Sequence, residues 1–338
     1  QNMDYGISGM LFNRKISFSF NGYYKKTKDL LLDKLIPMSS GFSRIQANYG
    51  NVTNKGLEIS GHFIPVKARN FLWSIDANIS FNRNKVGGLD ADQYSDVAWG
   101  IENMFLVRNG EPIGTLYGYV EDGFYDNEAE VRADPLYRNE TDSKVKSMVG
   151  EVKYKNLDDD PVIDNRDRQI IGNTNPDYQY GITNTLEWKN WTFSFFLQGT
   201  QGNDVLNVNL KKFDMASVDN MPYFIYNNRW TAENRANAKW PRANRTSTRS
   251  MRASDRYIED GSYLRCKNVS LSYRFRHPMK FVESINLVAS VSNLFTISGY
   301  SWMDPDVNSF GSDPKRRGVD MASYPSARTF NFGVQIGF

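Results

Sequence analysis

The sequence predicts an all-β protein in which antiparallel strands form a transmembrane β-barrel. Three observations favour this class: apolar and polar residues alternate along many short segments, aromatic residues make up 14% of the chain, and short and long connections strictly alternate. The mean hydropathy is only −0.57. No stretch approaches the roughly 18 uninterrupted apolar residues that a membrane-spanning helix needs.

The clearest predicted strand is the last one, residues 329–338, where apolar positions alternate with polar residues or glycine. Its apolar positions are Phe330, Phe332, Val334, Ile336 and Phe338. Successive side chains of a strand point to opposite faces, so one face of this strand is wholly apolar. The same pattern predicts strands within 15–24, 54–63, 70–82, 177–188, 190–199, 268–275 and 285–293. With the segment before the turn at 13–15, these make nine strands.

The connections between the strands fall into two classes. The short ones are at 13–15, 65–69, 189–190 and 276–284, and the long ones are at about 29–52, 85–177, 201–261 and 295–327. Outer-membrane barrels carry short turns on the periplasmic side and long loops outside the cell, which favours that architecture. A soluble β-sandwich stays open as the alternative, because its strands also alternate between a buried and a wet face.

In such a barrel the polar face lines the lumen and the apolar face meets lipid. Aromatic residues near strand ends are predicted to form the interfacial girdles, namely Trp73, Trp188, Trp191 and Tyr263. Nine is an odd count, whereas single-chain bacterial barrels have an even number of strands and must close without an open edge. We therefore expect residues 1–338 to form the C-terminal part of one larger barrel domain, with the N-terminal strands outside this sequence.

Composition argues against several classes of function. With 41 Lys and Arg against 38 Asp and Glu, the charge is too balanced to indicate nucleic-acid binding. Cys266 is the only cysteine, which excludes an internal disulfide and a cysteine metal cluster. His62 and His277 lie far apart in the sequence, and no nucleophile–base pair or glycine-rich phosphate loop stands out. No enzyme is predicted.

Eight longer segments are distinctive. They are YYKKTKDLLL (23–32), GNVTNKGLEIS (50–60), GEPIGTLYGYVEDGFYDNEAEV (110–131), GEVKYKNLDDDPVIDNRDRQIIGNTNPDYQYGI (150–182), NRWTAENRANAKWPR (228–242), EDGSYLRCKNVSLSY (259–273), SVSNLFTISGYSWMDPDV (290–307) and GVDMASYPSARTFNFGVQIGF (318–338). In this order they resemble the C-terminal barrel half of the SusC/RagA family of TonB-dependent outer-membrane transporters. Each segment is a weak signal alone, but eight in family order are specific.

The resemblance implies active import across the bacterial outer membrane. Transporters of this family are similar to the 22-stranded plugged barrels, are energised by the TonB complex through the plug, and pair with a SusD-like surface lipoprotein. Their substrates are oligosaccharides or oligopeptides. This sequence holds no plug and no recognisable TonB-contact segment, so transport is expected of the parent molecule. A passive porin-like or adhesin barrel and a soluble carbohydrate-binding β-protein remain alternatives.

The resemblance also implies a role for the last strand of the chain. An alternating last strand that closes on Phe338 looks like the recognition signal for the machinery that inserts barrels into the outer membrane. The same strand is expected to pair with the first strand of the barrel and seal its edge. The alternative is an ordinary C-terminal strand whose phenylalanine only packs.

A candidate calcium loop lies at residues 156–167. Its ligands would take the first, third, fifth, seventh, ninth and twelfth places of a calcium-binding loop, and they are Asn156, Asp158, Asp160, the Val162 carbonyl, Asp164 and Asp167. Pro161 replaces the glycine that is usual at the sixth place, and the twelfth place has the shorter aspartate. The alternative is an acidic turn held by Asx hydrogen bonds. No other cofactor is expected.

Two other loops hold candidate contacts for a substrate or partner. In the loop at 201–261 they are Tyr223, Tyr226, Trp230, Trp240, Arg242 and Arg245. In the loop at 295–327 they are Tyr300, Trp302 and Asp304. The rings could stack on sugars or pack against peptide, and the arginines could bind lipopolysaccharide phosphates, the lipoprotein or an acidic substrate. The alternatives are a loop core built from the same rings, arginines paired with nearby acidic residues, and a structural turn at Asp304.

Overall fold

The structure, a computed structural model, describes residues 1–35, 38–42, 44–97, 101–158, 160–213, 220–244, 252–279 and 281–338. Its strands are β1 (Asn2–Leu11), β2 (Ile16–Lys28), β3 (Leu31–Leu35), β4 (Arg44–Asn48), β5 (Asn51–Ala68), β6 (Phe71–Gly87), β7 (Gln93–Val97), β8 (Ile101–Val107), β9 (Thr115–Gly118), β10 (Glu121–Phe124), β11 (Val152–Tyr154), β12 (Gln169–Asn173), β13 (Tyr178–Trp188), β14 (Trp191–Gln201), β15 (Asp204–Asn207), β16 (Ile258–Asp260), β17 (Tyr263–Met279), β18 (Val282–Ser298), β19 (Val319–Asp320) and β20 (Thr329–Gly337). Its α-helices are α1 (Glu128–Ala133), α2 (Asp142–Met148), α3 (Val208–Lys212) and α4 (Tyr223–Asn228). Short 3₁₀ turns lie at Met38–Ser40, Asn165–Asp167, Arg235–Asn237, Asp255–Tyr257 and Pro314–Arg316.

Nine strands form one antiparallel sheet in the order β1-β2-β5-β6-β13-β14-β17-β18-β20. They are the nine strands that the sequence predicts, and the antiparallel class is confirmed. Two short connections are tighter than predicted. β5 and β6 leave only residues 69–70 between them, and β17 reaches Met279 before β18 begins at Val282. The strands continue because their backbone groups keep pairing across the hairpin up to the turn.

The register of the sheet puts apolar and polar side chains in alternating rows. One row across successive strands consists of Phe18, Gly61, Ala77, Ile182 and Leu197. The neighbouring row consists of Ser19, Ser60, Asn78, Gly181 and Gln198. Because successive side chains of a strand point to opposite faces, the first row lies on one face and the second on the other. The separation predicted for each strand therefore continues from one strand to the next across β2, β5, β6, β13 and β14.

The apolar face of the sheet is exposed. Ile7 is 66% exposed, Val334 65% and Phe332 83%, which are values typical of a surface that no protein layer covers. The main buried hydrophobic clusters instead take most of their residues from the long connections. An outward apolar face of this extent is what a barrel wall presents to lipid. Within the described residues, no helix is long and apolar enough to cross a membrane.

Three long connections fold together into one compact unit. We call it the loop body, and it comprises the described residues of the connections at 85–177, 201–261 and 295–327. Its fully buried core residues include Phe105, Leu116, Leu206, Tyr257 and Val319. A four-stranded sheet in the order β12-β9-β8-β7 and a three-stranded sheet in the order β16-β15-β19 build it. The sequence predicts only long loops here, because strands of two to seven residues are too short to show a periodic pattern.

The two faces of the sheet can be tested on adjacent positions of β6. Ala77→Arg puts a charge on the apolar face, and we expect it to lower the free energy of unfolding in lipid vesicles by about 2–4 kcal/mol. Asn78→Arg puts the same charge on the polar face and should change that free energy by less than about 1 kcal/mol. Urea titration of the full-length protein, followed by tryptophan fluorescence, measures both. Equal losses for the two variants would contradict this assignment of faces.

Candidate functional site

Helix α4 presents a group of exposed aromatic side chains on the loop body. Pro222 precedes the helix with a φ of −60°, and its carbonyl accepts hydrogen bonds from the N–H groups of Ile225 and Tyr226. Ile225 is fully buried, whereas Tyr223 is 78% exposed, Phe224 44% and Tyr226 51%. One apolar anchor therefore holds three rings at the surface.

Arg229 extends this aromatic group. Its guanidinium carbon lies 3.8 Å from the centre of the Tyr226 ring, and its Nη1 donates to the Tyr226 carbonyl. A cation over a ring is attracted by the ring quadrupole, which restricts both side chains. Tyr223, Phe224, Tyr226 and Arg229 form what we call the α4 surface. It offers flat apolar faces beside a donor that can bind carboxylates or hydroxyls.

The two tryptophans predicted as contacts are buried beneath this surface. Trp230 is 8% exposed and Trp240 9%. The N–H of Trp230 donates to the Trp240 carbonyl at 2.7 Å, and the Trp230 Nε1 donates to Asp126 Oδ1 at 3.1 Å. The Phe224 ring packs edge-on against Trp240 with their centres 6.3 Å apart. For these two residues the structure shows the alternative, a loop core, and they support the α4 surface rather than belong to it.

Of the two arginines predicted as contacts in this loop, Arg242 makes polar contacts within the protein. Arg242 is half-buried, its Nη2 donates to the Ser147 carbonyl at 2.9 Å, and the same atom lies 4.0 Å from the Glu151 carboxylate. These contacts join the connection at 201–261 to the segment around α2. Arg245 lies outside the described residues.

In the loop at 295–327, the predicted contacts also face inward. Tyr300 is buried, and its hydroxyl donates to Asp320 Oδ2 at 2.7 Å. Burial raises the pKa of Tyr300, and the hydrogen bond to the Asp320 carboxylate raises it further. Trp302 is half-buried, with its ring 5.9 Å from the ring of Phe213. Tyr300 therefore has its hydroxyl occupied within the protein.

Asp304 forms a buried ion pair with Arg265 of β17. The side chain of Arg265 is 1% exposed and that of Asp304 is 8% exposed. Arg265 also donates from Nε to Thr296 Oγ1 and from Nη1 to Ser326 Oγ, each at 3.0 Å. Asp304 accepts further hydrogen bonds from the N–H groups of Asp306 and Ser326, each at 2.9 Å. Several partners are needed because a buried charge is costly unless it is paired and hydrogen-bonded.

These contacts keep Asp304 ionised. Burial acts to raise the pKa of Asp304, but the N–H groups of Ser326 and Asp306 and the Arg265 guanidinium outweigh burial and lower that pKa below its ordinary value. The structure thus shows the structural alternative for Asp304. Sequence reasoning missed Arg265, because it lies before the strand predicted at 268–275 and a register shift between Cys266 and Asn268 places it opposite Gln198 on the polar face.

The candidate calcium loop folds around an arginine. Arg166 forms ion pairs with three of the predicted ligands: its Nη1 lies 3.1 Å from Asp158 Oδ2, its Nη2 lies 3.0 Å from Asp164 Oδ2, and Nη2 also donates to Asp160 Oδ2. The Asx hydrogen bonds of the alternative are present as well, since the Val162 N–H donates to Asp160 Oδ1 at 2.8 Å. The acidic residues are therefore held by contacts within the chain.

The remaining predicted ligands have other partners too. Asn156 Nδ2 donates to the Asp160 carbonyl at 2.6 Å, and the buried Asp167 carboxylate accepts from the N–H groups of Leu157 and Asp164. Among the described residues, no group of three or more His, Cys, Asp and Glu side chains is arranged to hold a metal. In this conformation the donor set does not fit a calcium ion, because Arg166 stands where the carboxylates converge. Calcium binding stays a prediction.

On the polar face of the barrel sheet, His62 and Asp76 form a pair. The Nδ1 of His62 lies 2.7 Å from Asp76 Oδ1, and Ser17 lies opposite His62 on β2. These residues line a pocket of about 550 Å³ together with Ser60 and Asn78. The histidine and aspartate are hydrogen-bonded to each other, and among the described contacts no hydrogen bond joins Ser17 to His62.

Phe338 follows β20 and is 85% exposed. Its side chain continues the exposed apolar positions of that strand, which pairs with β18 along one edge. This placement leaves the side chain accessible. The role of Phe338 as an insertion signal stays a prediction.

Together these features define a class: an antiparallel β-barrel wall of the outer-membrane type, whose long connections fold into a loop body. The chain is 32% identical over 346 residues to TonB-dependent receptor P26 of Formosa agariphila, covering 99% of this chain and 34% of that receptor. It is 28% identical over 342 residues to TonB-dependent receptor SusC of Bacteroides thetaiotaomicron, covering 98% and 31%. No family model matches the chain.

Solved structures show the same fold. A structure of the RagAB peptide transporter matches with a TM-score of 0.75 at 17% identity, covering 100% of this chain and 35% of that one. The RagAB peptide importer in its open-open state matches with a TM-score of 0.77 at 18% identity, covering 100% and 34%. Over nearly its whole length the chain is thus homologous to part of proteins named TonB-dependent receptors, SusC among them, as its motifs predict. It spans about a third of the length of the curated relatives that it matches.

Asp304→Asn tests the buried ion pair. The substitution removes the buried charged partner of Arg265 and leaves only the half-exposed Asp306 carboxylate near its guanidinium, so we expect the opening free energy of the loop at 295–327 to fall by about 3 kcal/mol. Asp306→Asn is the matched control, because its carboxylate is half-exposed and lies 3.7 Å from Arg265 Nη1. That change should cost less than about 1 kcal/mol. Hydrogen-exchange mass spectrometry of the full-length protein in detergent measures both, and equal effects would contradict the role of Asp304.

The ion pair also predicts a pH dependence. Since the folded-state pKa of Asp304 lies below that of the unfolded chain, its stabilisation is present above the unfolded value of about 3.9 and is lost as pH falls through the folded value. Protection of residues 295–327, corrected for intrinsic exchange rates, should stay level from about pH 7 to about pH 4 and then decline. The Asp304→Asn variant should show a smaller decline, since Asp313 in the same segment also has a pKa below its ordinary value, to which its hydrogen bonds from Arg316 and the Lys315 N–H contribute against burial. A wild-type loss of protection that begins near pH 6 would contradict the assignment.

Proposed function

We propose that this chain forms the barrel wall and loop body of a TonB-dependent importer of oligopeptides or oligosaccharides in the bacterial outer membrane. The observation that carries the proposal is its similarity to TonB-dependent receptors along 98% or more of its length. The fold supports it, because nine paired strands separate an outward apolar face from a polar face. That arrangement suits a wall between lipid and a lumen.

The polar face suits a lumen that another domain fills. It carries short hydrogen-bonding side chains such as Ser19, Ser60 and Asn78, and His62 and Asp76 are hydrogen-bonded to each other within the wall. Such side chains can hydrogen-bond to the surface of a folded domain. We place the plug, and the segment that contacts the TonB complex, in the part of the parent molecule that corresponds to the remaining length of its relatives.

A SusD-like surface lipoprotein is the partner that we propose for the loop body. Similarity to SusC and to the RagAB transporter supports a partner of this kind. The loop body is a large folded surface joined to the barrel strands, with outer-membrane lipid and lipopolysaccharide beside it in this proposal. A lid that docks there would enclose substrate between itself and the lumen.

The α4 surface is the proposed contact for substrate or for the lipoprotein. Its exposed rings can stack on the apolar faces of sugars or pack against peptide side chains, and Arg229 can bind a carboxylate. Oligopeptides come first among the proposed substrates, because the solved neighbours are a peptide transporter and a peptide importer. Oligosaccharides remain the second class.

Uptake by intact cells tests the proposal. Cells that produce the full-length protein should accumulate labelled oligopeptides, or labelled oligosaccharides, in a manner abolished by a protonophore. Replacing Tyr223 and Tyr226 together by alanine should reduce initial uptake roughly fivefold, because each truncation removes an exposed aromatic contact. The two substrate classes are measured in parallel, and the class that is taken up identifies the cargo.

The matched control is Tyr324→Ala, which removes an equally large and 91% exposed ring from the loop at 295–327. It should leave uptake unchanged. Uptake of either substrate that persists with the protonophore would indicate a passive porin-like barrel and contradict the proposal. Normal uptake by the double variant would not contradict import by this protein. It would show that the α4 surface is not needed as a contact during uptake.

A further inference from the structure

The acidic loop at 156–167 is organised around a single positive group. Asp158 and Asp160 each direct one carboxylate oxygen to a backbone N–H and the other to Arg166, whereas both oxygens of Asp164 contact the guanidinium. The Asp158 Oδ1 accepts from the Asp160 N–H at 3.3 Å, and Asp164 Oδ1 accepts from the Arg166 N–H at 2.8 Å. The outer oxygens of all three carboxylates then meet the guanidinium.

This division of oxygens has a simple electrostatic reason. Three carboxylates that converge on one point repel one another unless a cation lies among them. A hard divalent ion is one solution, since it takes oxygen ligands from several places of a loop. A guanidinium is another, because its five N–H donors lie in one plane and can serve several acceptors at once. The loop of this protein contains the second solution.

The ionisation of these groups agrees with the geometry. Hydrogen bonds from Arg166 hold the pKa of Asp164 below its ordinary value. In return, the hydrogen bond to Asp164 and the charges of Asp158 and Asp160 raise the pKa of Arg166 above its already high ordinary value. The guanidinium is therefore a permanent positive charge over the whole range of pH in which the carboxylates are ionised.

The base of the loop is fixed by other contacts. Asp167 is 1% exposed and accepts the N–H groups of Leu157 and Asp164 at 2.9 and 2.7 Å, which closes the loop where it meets the core. Arg252 Nη1 donates to the Ile163 carbonyl at 3.1 Å and joins the loop to the connection at 201–261. The Arg166 side chain is 61% exposed, so its ion pairs stabilise only the outer part of the loop.

We propose that Arg166 takes the place of a divalent cation in the loop at 156–167, so that this acidic loop keeps its fold without calcium. The residue supplies internally the charge that an ion would supply from solution. The inference does not depend on the transport activity, since it concerns only how the loop body is held together. It makes the order of the loop insensitive to chelators and to calcium.

The test is hydrogen exchange of residues 155–167 in the full-length protein in detergent, with EDTA and with millimolar calcium chloride. Wild-type protection should be the same under both conditions. Arg166→Gln should lose roughly three- to tenfold of its protection in EDTA, because the outer carboxylates lose their common partner. Calcium should restore that loss, since the three carboxylates then again surround a cation. Arg166→Lys should fall between the two, because an ammonium is a compact point charge.

Lys155→Gln is the matched control. Lys155 is an exposed cation beside the loop with no carboxylate contact among the described residues, and its removal should change nothing. Wild-type protection that falls in EDTA would overturn the proposal by showing that a bound metal holds the loop. Full protection of Arg166→Gln in EDTA would overturn it as well. If calcium does not restore the protection that Arg166→Gln loses in EDTA, Arg166 forms only ordinary ion pairs. That result would overturn the proposal that it replaces a cation.

Discussion

Pairing of the backbone across nine strands is the constraint on which the rest of this structure depends. A wall that faces hydrocarbon cannot leave N–H and C=O groups unpaired, so each strand must be in register with its neighbours. The register also decides the faces, because a slip of one residue would exchange the row of Phe18 and Ala77 with the row of Ser19 and Asn78. Since the apolar face is turned outward, the wall itself encloses little hydrophobic core. The chain builds its core in the long connections, where Phe105, Leu206 and Val319 meet from different parts of the sequence.

Several arginines make polar contacts within the loop body or between it and the barrel strands, and the environment of each arginine decides what it contributes. Arg265 is enclosed and paired with Asp304, so its ion pair is little screened and costly to break. Arg168 is buried between the rings of Tyr117 and Tyr119, at 4.8 and 5.6 Å from their centres, and donates to the carbonyls of Asn103 and Tyr117 at 2.6 and 2.9 Å. Burial lowers the pKa of Arg168. Arg166 makes similar ion pairs at the surface. Solvent weakens each of these pairs, so they hold the loop only because there are several of them.

Sequence reasoning located the strands of the wall well and the elements of the loop body poorly. Strands such as β6 and β20 span 17 and 9 residues, enough for a period of two to be read directly. Elements such as β15 and β19 span 4 and 2 residues and are stabilised by pairing with distant segments, so they carry no local signal. The candidate contacts divide in the same way. Tyr223 and Tyr226 are exposed as a contact surface requires, whereas Trp230 and Trp240, which look equivalent in the sequence, lie in the core.

The sequence by itself determined the fold class, the nine strands, the two faces of the wall and the alternation of short and long connections, because these are properties of neighbouring residues along one strand. Its motifs also determined the relationship to TonB-dependent receptors. Only the tertiary structure decided which aromatic rings are exposed and which acidic groups find a partner. Arg265 and Asp304 lie 39 positions apart in the sequence. Arg166 and Asp160 lie 6 apart but meet only when the loop closes. Such pairs depend on where the chain folds back on itself, which no local pattern of residue types encodes.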